Sequence, residues 1–390
     1  MSLQDGFFAF NIRRYYKDKN EKLVVRYFNR NGRQLCINEV EYPFSFYNFL
    51  IREKNSNSVY ITSQNRRDGR ENLILEISNN CAKINEFRMS SENYETIADI
   101  QVYEDQIYVC GWIENRERQV FSQLSDSKRS ENKIMIEHDM FFATYDHNFT
   151  EKYRVITQNG NSAKYAFSIA PTSDGDRVFY SGSIIEVGVD SEKGQLLKSM
   201  KLFLYKDGGR KAQVGIIDGV EYSTNYDLIP FFLKEYNNAA LILVSMGRNN
   251  ANDILAISVI DKGSLSANTY LYPFLKGYLP FYPVLVKDER IYLRFLDVRR
   301  GSIDLLCIVD LRANKITEIW LKGADKIAFE LNGGELTLYY SVVVRPCGES
   351  IYKAYNMLLE ELFKDKIAKP AMIDEIRFRM IEPIKNIKNF

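Results

Sequence analysis

The chain has 390 residues, more than the ~250–300 at which one hydrophobic core usually stops growing, so we expect several domains or a repeat architecture. Its 52 basic and 51 acidic side chains leave a net charge of +1, which disfavours a nucleic-acid partner because such proteins normally carry a basic excess. The 26 Tyr and 24 Phe residues, against 2 Trp, favour β-strands, because these side chains suit a pleated, half-buried surface.

Apolar runs of strand length, bounded by Gly, Asn, Asp or Ser, follow one another along the chain, and long helical periodicity is absent before the C-terminal region. The complete groups of runs span residues 46–89, 98–156, 166–217, 229–261, 282–321 and 326–359. Comparable positions recur about every 50 residues, with two longer intervals. This spacing is close to the length of a WD40 or kelch blade, which is about 40–50 residues. The pattern therefore predicts a repeated, four-stranded antiparallel unit.

Turn residues separate the strands within these groups. Asp146-His147-Asn148 divides the run at 140–156, and Asn31-Gly32 and Gly208-Gly209 are hairpin-turn pairs. Because Asp and Asn bond their own backbone and tolerate left-handed conformations, the recurring cadence reflects turn chemistry.

Residues 1–40 form a partial group that lacks a first strand. The segment 374–382 alternates apolar and polar residues and would supply that strand, because a circular fold tends to leave no unpaired edge. The segment 355–369 has apolar residues at helical spacing and ends before Pro370, which predicts a short C-terminal helix. We therefore predict an all-β fold: one β-propeller domain over 1–390, with four-stranded antiparallel blades. We expect seven blades, one of them shared by the two termini; six blades are the alternative.

Through these units of apolar run, Gly, Asp or Asn turn, and apolar run, the sequence resembles the β-propeller superfamily in general, with a kelch- or WD40-like architecture. The resemblance covers nearly the whole chain. The Gly-His…Trp-Asp pair of WD40 repeats and the Gly-Gly doublet placement of kelch repeats are absent. The resemblance therefore implies a fold and no functional residues.

Aromatic clusters are the strongest departure from an average composition. The segment 42–49 has five aromatics in eight residues, and 270–283 has six among its fourteen. Tyr-Pro-Phe occurs in both, so we interpret them mainly as structural, with aromatic side chains wedged between neighbouring sheets. The longer segment is the better candidate for a partner-binding surface. Its candidate residues are Tyr270, Tyr272, Phe274, Tyr278, Phe281 and Tyr282.

Two arginine pairs, Arg66-Arg67 and Arg299-Arg300, fall between the second and third strands of their groups. Equivalent loops of a propeller emerge on one face, so these partner-binding candidates would contribute to a common basic rim. Such a rim suits a phosphate-rich or acidic partner. The alternative is that they are solvated turn residues.

The two histidines, His138 and His147, each lie beside an acid, and two His with an Asp is a metal-ligand set. Nine residues of extended chain separate them by up to roughly 30 Å, so we expect no shared metal. Cys347, in the Pro/Gly turn at 345–350, has no nearby histidine to act as its base. The sequence thus predicts no catalytic residues, no metal and no cofactor.

The cysteines are odd in number and widely spaced, so we expect them to be reduced and buried. They are Cys36, Cys81, Cys110, Cys307 and Cys347. No run reaches the ~18–20 apolar residues that span a bilayer, so we predict no transmembrane segment. The N-terminus lacks a signal-peptide pattern. These features favour a cytoplasmic location; the alternative is a secreted protein whose signal peptide has been removed.

The function that the sequence favours is a non-enzymatic β-propeller scaffold that mediates protein–protein interaction with a protein partner of unknown identity. The alternative is a propeller enzyme or carbohydrate-binding protein that uses the central channel, since propellers host both kinds of function. Two carboxylates about 5–10 Å apart in one pocket would favour the alternative. The oligomeric state is left open.

Overall fold

The computed structural model describes most of the chain as 29 β-strands in six sheets. The described residues are 2–3, 6–14, 21–29, 33–42, 46–65, 71–91, 93–121, 134–157, 162–173, 178–190, 195–207, 212–215, 227–248, 253–264, 266–274, 277–321, 323–344, 349–360, 376–383 and 385–389.

The first two sheets each contain four strands in chain order. The first sheet has β1 (Ser2–Leu3), β2 (Gly6–Arg14), β3 (Glu21–Asn29) and β4 (Gln34–Tyr42). The second has β5 (Phe46–Asn55), β6 (Ser58–Asn65), β7 (Glu71–Ser78) and β8 (Lys83–Ser90). Because Ser2 pairs with Phe7 and Leu3 with Gly6, the first sheet already has its own short first strand.

The third sheet has eight strands. They are β9 (Tyr94–Tyr103), β10 (Gln106–Phe121), β11 (Ile134–Asp146), β12 (Glu151–Thr157), β13 (Ser162–Pro171), β14 (Val178–Asp190), β15 (Gln195–Asp207) and β16 (Ala212–Gly215). Two antiparallel runs, β9–β12 and β13–β16, are joined by one parallel bridge between His138 of β11 and Ala163 of β13. The sequence pattern assigns these two runs to separate blades, whereas the bridge makes them one sheet.

The last three sheets contain the C-terminal strands. The fourth has β17 (Asp227–Asn237), β18 (Ala240–Arg248), β19 (Asp253–Asp261), β20 (Ala267–Phe274) and β29 (Lys385–Asn389). The fifth has β21 (Tyr278–Lys287), β22 (Arg290–Asp297), β23 (Ser302–Asp310), β24 (Lys315–Leu321) and β28 (Ile376–Ile381). The sixth has β25 (Ala324–Asn332), β26 (Glu335–Val344) and β27 (Glu349–Leu358).

The fold is an all-β propeller with six antiparallel blades, so the predicted fold class is confirmed with the alternative blade number. The prediction of seven blades, one shared by the termini, is wrong for two reasons. The two runs of the third sheet are one sheet. The strand expected at 374–382 is present as β28, but it pairs with β24, through Ile316↔Ile381 and Leu321↔Ile376, and not with the first sheet.

The predicted helix at 355–369 is not supported, because the described part of this segment is mostly strand. Tyr355–Leu358 belongs to β27, which pairs with β26 through Leu336↔Met357 and Glu335↔Leu358. Tyr355 and Met357 pack against a hydrophobic core, whereas Leu358 is 41% exposed, which is the alternation of a strand. Residues 361–369, like the predicted turns at Asn31-Gly32 and Gly208-Gly209, lie outside the described residues.

Strand alternation builds apolar cores between neighbouring sheets. In the first of them, Leu23 and Val25 of β3 pack with Val59 and Ile61 of β6, and all four are at most 1% exposed. Full burial of such a side chain contributes about 1.5–3 kcal/mol. The first two sheets are therefore held together mainly by alternating residues of their inner strands.

A buried polar cluster, which we call the Asp99 cluster, links β5, β9, β13 and β17. Arg52 donates from Nε to Oδ1 of the fully buried Asp99 at 2.7 Å. Oδ2 of Asp99 accepts hydrogen bonds from the backbone N–H of Ile169 at 3.0 Å and from the hydroxyl of Ser168 at 3.2 Å. The Ser168 hydroxyl oxygen in turn accepts the backbone N–H of Leu233 at 3.0 Å. Asp99 thus bonds groups of β5 and β13 directly and is connected to β17 through Ser168.

The turn after β11 shows how an Asp directs a hairpin. Oδ1 of Asp146 accepts the backbone N–H groups of Asn148 at 3.0 Å and Thr150 at 2.9 Å, as the sequence predicts. The left-handed residue is Phe149, with φ of 58°, and not Asn148. The hydrogen bonds from Thr150, and then Lys152, lower the pKa of Asp146 to about 2.

Cys36 and Cys81 form a disulfide, with their Cα atoms 6.0 Å apart. Cys36 lies on β4, and Cys81 lies in the turn between β7 and β8. This corrects the expectation that all cysteines are reduced. Cys110 and Cys307 are free and buried, as expected, and Cys347 lies outside the described residues.

The chain divides into two compact units. The first comprises Met1–Ser245, Val259–Ala267 and Asn389, and the second comprises Met246–Ser258, Asn268–Lys388 and Phe390. A single domain over 1–390 stays a prediction. Within the described residues, no helix has the length and apolar character needed to cross a membrane.

Candidate functional site

The turn between β22 and β23 is organised by one buried carboxylate. Asp297, the last residue of β22, has a fully buried side chain. Its Oδ1 accepts hydrogen bonds from the backbone N–H of Arg299 at 3.0 Å and from Nε of the same residue at 3.1 Å. Its backbone carbonyl accepts the N–H of Gly301 at 2.8 Å, and Gly301 has the positive φ of 67° that a residue without a side chain adopts readily. An Asp placed directly before the turn therefore fixes the turn backbone.

Arg299 and Arg300 are both anchored on Asp297 and yet face solvent. The ion-pair distances to Asp297 are 3.1 Å and 3.7 Å, and the side chains are 68% and 70% exposed. Burial raises the pKa of Asp297, but the hydrogen bonds from Arg299 and the charges of both arginines outweigh it, so the pKa lies below its ordinary value. Asp297 is therefore ionised at neutral pH, and most of each arginine side chain remains accessible.

Gly277 forms the other side of this turn. Its N–H donates to Oδ2 of Asp253 at 3.2 Å, and its carbonyl accepts the N–H of Val298 at 3.0 Å. Its φ of 90° is a conformation that side-chain-bearing residues rarely adopt. A Cβ at this position would lie 3.6 Å from Nε of Arg299, so the guanidinium rests close to the Gly277 backbone.

A β-bulge places a second acid at the same end of the sheet. Leu296 pairs with Ile303 and Phe295 with Leu305, which leaves Asp304 as the extra residue of β23. Asp304 is 6% exposed, and its Oδ1 has no hydrogen-bond partner. Burial, followed by the charge of Asp297, raises the pKa of Asp304.

Tyr278 is buried beside these two acids. Burial, and then the charges of Asp304 and Asp297, raise the pKa of Tyr278 to about 12, so its phenol keeps its proton at neutral pH. Its ring packs edge-on against Trp320, with ring centroids 5.4 Å apart. Tyr278 is therefore part of the support beneath the turn.

Two exposed apolar side chains adjoin the arginines. Leu279 is 42% exposed and Val298 is 53% exposed. Leu279 of β21 pairs with Leu296 of β22, and Val298 lies in the turn that follows β22, directly before Arg299. We call Leu279, Val298, Arg299 and Arg300 together the turn patch.

The aromatic residues predicted to bind a partner are mostly buried. Tyr272 is 1% exposed, Tyr278 is 6% exposed, and Phe274 packs on Phe295 with ring centroids 4.5 Å apart. Tyr270 is half-buried, and its hydroxyl accepts a hydrogen bond from Nδ2 of Asn268 at 2.7 Å.

Four other predicted residues cannot be placed as side chains. Phe281 and Tyr282 lie in β21, but their side chains are outside the described residues, as are Arg66 and Arg67 entirely. A common basic rim of the two arginine pairs therefore stays a prediction.

Sequence reasoning did not identify Asp297 and Asp304. The available signal was the Asp directly before Val298-Arg299-Arg300, because an Asp at the start of a turn bonds the following N–H groups. Asp304 gave no signal, since its position depends on a bulge in the register.

The histidines lie at different points of one hairpin. His138 lies within β11, and His147 is exposed in the turn that follows Asp146. Among the described residues, no group of three or more His, Cys, Asp or Glu side chains is placed to hold a metal ion. No step of chemistry is therefore assigned to either histidine.

No protein-family profile and no curated protein matches the sequence. Solved structures with a similar arrangement include the β-propeller domain of the Trilobed protease from Pyrococcus furiosus, at 12% identity and TM-score 0.46, over 92% of this chain and 97% of that one. Pyrococcus horikoshii acylaminoacyl peptidase is similar at 12% identity and TM-score 0.48, over 91% of this chain and 51% of that one, so this chain spans about half its length. Pseudomonas brassicacearum lignostilbene dioxygenase is similar at 9% identity and TM-score 0.41, over 77% and 69% of the two chains. Similarity at this level supports no functional conclusion.

Proposed function

We propose that the protein is a non-enzymatic β-propeller scaffold that binds a protein partner through the turn patch. The observation that carries the proposal is the anchoring of Arg299 and Arg300 on the buried Asp297, with about two thirds of each side chain in solvent. A long side chain normally loses rotamer freedom when it binds, and one that is already held in place loses less. Arg is also enriched among residues that dominate binding energy at interfaces.

The composition of the turn patch indicates the kind of protein surface that would fit. Guanidinium groups pair in a forked geometry with carboxylates, and these pairs are stronger than neutral hydrogen bonds. Leu279 on β21 and Val298 in the turn supply exposed apolar area. The patch therefore suits a partner that presents acidic and apolar side chains together.

The other predicted partner-binding residues stay in the proposal in two roles. Tyr270, Phe281, Tyr282, Arg66 and Arg67 would be secondary contacts, whereas the buried Tyr272, Phe274 and Tyr278 would support the surface from beneath.

The test is site-specific cross-linking of the protein to its partner in extract from the native source. A photoreactive amino acid at Val298 would capture the partner, which mass spectrometry identifies, and binding is then measured with purified components. We expect Arg299→Glu/Arg300→Glu to weaken binding at least about tenfold, which is about 1.4 kcal/mol. Arg312→Glu is the matched control, because Arg312 is a 79% exposed turn arginine in the same compact unit. Equal binding by the double variant and the control would contradict the proposal, as would the absence of any cross-linked polypeptide.

One observation favours the alternative, a propeller enzyme or carbohydrate-binding protein. Asp304 combines a raised pKa with an unpartnered carboxylate oxygen and interacts electrostatically with Asp297. Glycoside hydrolysis requires two carboxylates with different pKa values, about 5–10 Å apart and facing one pocket, and Asp297 and Asp304 meet the pKa part of this requirement. Thermal-shift screening against oligosaccharides decides: stabilisation by a sugar that Asp304→Asn abolishes, without any polypeptide partner, would favour the alternative.

A further inference from the structure

The disulfide between Cys36 and Cys81 joins two different sheets. Cys36 lies on β4, the edge strand of the first sheet, and Cys81 lies in the β7–β8 turn of the second. The two residues are separated by 45 positions, so no local turn brings them together. Their Cα atoms are 6.0 Å apart, within the roughly 4.4–6.8 Å that disulfides require. The packing of the two sheets therefore places the sulfur atoms in bonding range.

The backbone at Cys81 is a second, independent observation. Cys81 has a φ of 63°, a left-handed conformation that Gly or Asn adopts with less strain than Cys. The conformation is held because the Cys81 N–H donates to the carbonyl of Ser78 at 2.9 Å and Oδ1 of Asn80 accepts the N–H of Ala82 at 3.1 Å. A cysteine at a position that favours a residue such as glycine indicates that the thiol itself is needed there.

The neighbouring strand is aligned with the same turn by a second contact. Nδ2 of Asn38, two residues after Cys36 on β4, donates to the backbone carbonyl of Cys81 at 3.0 Å. Cys81 is fully buried and belongs to the apolar core between the two sheets, and Cys36 packs against that core. The disulfide therefore lies inside a formed interface.

The other described cysteines are not competitors for this pairing. Cys110 and Cys307 are completely buried, and burial raises the pKa of both thiols, which keeps them protonated and unreactive.

We infer that Cys36 and Cys81 are an oxidation site that closes as the chain folds, and that the protein works in an oxidising compartment and not in a reducing cytosol. In the closing step the two thiols lose two protons and two electrons and form the S–S bond. The electrons reduce the disulfide of a thiol–disulfide oxidant to its two thiols. This inference is independent of the proposed scaffold function.

The experiment compares the full chain produced in an oxidising compartment, such as a bacterial periplasm, with the chain produced in a reducing cytosol. Free thiols are blocked by alkylation at lysis, and the cysteines are mapped by mass spectrometry without reduction. We expect a cross-linked Cys36–Cys81 peptide pair, with alkylated Cys110 and Cys307, in the oxidised preparation only. Alkylation of both Cys36 and Cys81 in folded, oxidised protein would overturn the inference, and so would full cross-linking in the cytosolic preparation.

A thermal measurement separates the disulfide from general effects of reductant. Dithiothreitol should lower the melting temperature of the wild type by about 5 °C. This shift is the free energy lost when a 45-residue loop is opened, divided by the unfolding entropy of a chain of this length. Cys36→Ala/Cys81→Ala should already melt lower and should not respond to dithiothreitol. An equal response by the double variant would count against the site. If that variant does not fold, the peptide map of the wild type still decides.

Discussion

Removal of the Asp99 carboxylate should be among the most destabilising single changes in the first compact unit. In Asp99→Ala, the buried guanidinium of Arg52 would lose the carboxylate that accepts its Nε–H at 2.7 Å in the native chain. Breaking a buried ion pair in this way typically destabilises by about 3–5 kcal/mol. The backbone N–H of Ile169 and the hydroxyl of Ser168 would lose their acceptor as well, at about 1–3 kcal/mol for each group left unsatisfied. These effects overlap, so we expect a total loss of about 4–6 kcal/mol.

The assay is urea unfolding followed by the fluorescence of Trp112, in a Trp320→Phe background so that only the first compact unit is reported. The control is Arg52→Leu/Asp99→Leu, because replacing both ions by apolar residues is often nearly neutral whereas removing one is not. This variant should recover at least half of the loss. If Asp99→Ala loses less than about 1 kcal/mol, or if the double variant is no more stable than the single one, the buried charge is not what stabilises these strands.

Three further predictions concern other parts of the chain. Cys36→Ala/Cys81→Ala should lose about 4 kcal/mol in urea unfolding without reductant, from the entropy of a 45-residue loop, and unchanged stability would contradict this. Gly111→Ala should lose about 1–3 kcal/mol because its Cβ would overlap a neighbouring backbone carbonyl, whereas Gly263→Ala, the control, would meet only one side-chain oxygen at 3.3 Å. The lowered pKa of Asp146, about 2, means that its charge stabilises the turn fully above about pH 4 and progressively less as pH falls towards 2. The difference in melting temperature between the wild type and Asp146→Asn should therefore narrow between pH 4 and pH 2, and a constant difference would refute the assignment.

The local features of the fold were predictable from sequence because they depend on neighbouring residues. The turn at 146–150 follows from one Asp that bonds two N–H groups within four residues of itself. The apolar run Leu23-Val24-Val25 likewise predicts a buried strand, and all three side chains are fully buried. The predicted helix was wrong at 355–358. Tyr355 and Met357 have the spacing of a strand, but Leu358 and Leu359 beside them also fit a helical spacing, and the sequence alone does not separate the two patterns.

The features that were missed are set by contacts between distant residues. The spacing of Cys36 and Cys81 carries no information about pairing until β4 and the β7–β8 turn are packed together. Segment 374–382 was recognised as a strand, but its partner, β24, could not be inferred because edge pairing depends on where the chain returns. A bulge makes Asp304 an extra residue of β23, so its position beside Tyr278 depends on the register of β22 and β23. The sequence therefore indicates the arginines of the candidate site but not its two acids.

The charge balance at the turn patch affects how a partner would be recognised. Arg299 and Arg300 carry two positive charges, and Asp297 cancels one of them over 3.1–3.7 Å. Asp304, when ionised, cancels more, although its raised pKa keeps it protonated to a higher pH than an ordinary aspartate. Long-range attraction of an acidic partner is therefore weak, and salt screens exposed charges further. On the proposed function, recognition at this patch should therefore depend more on where the contacts with Asp297 hold the two arginine side chains than on net charge.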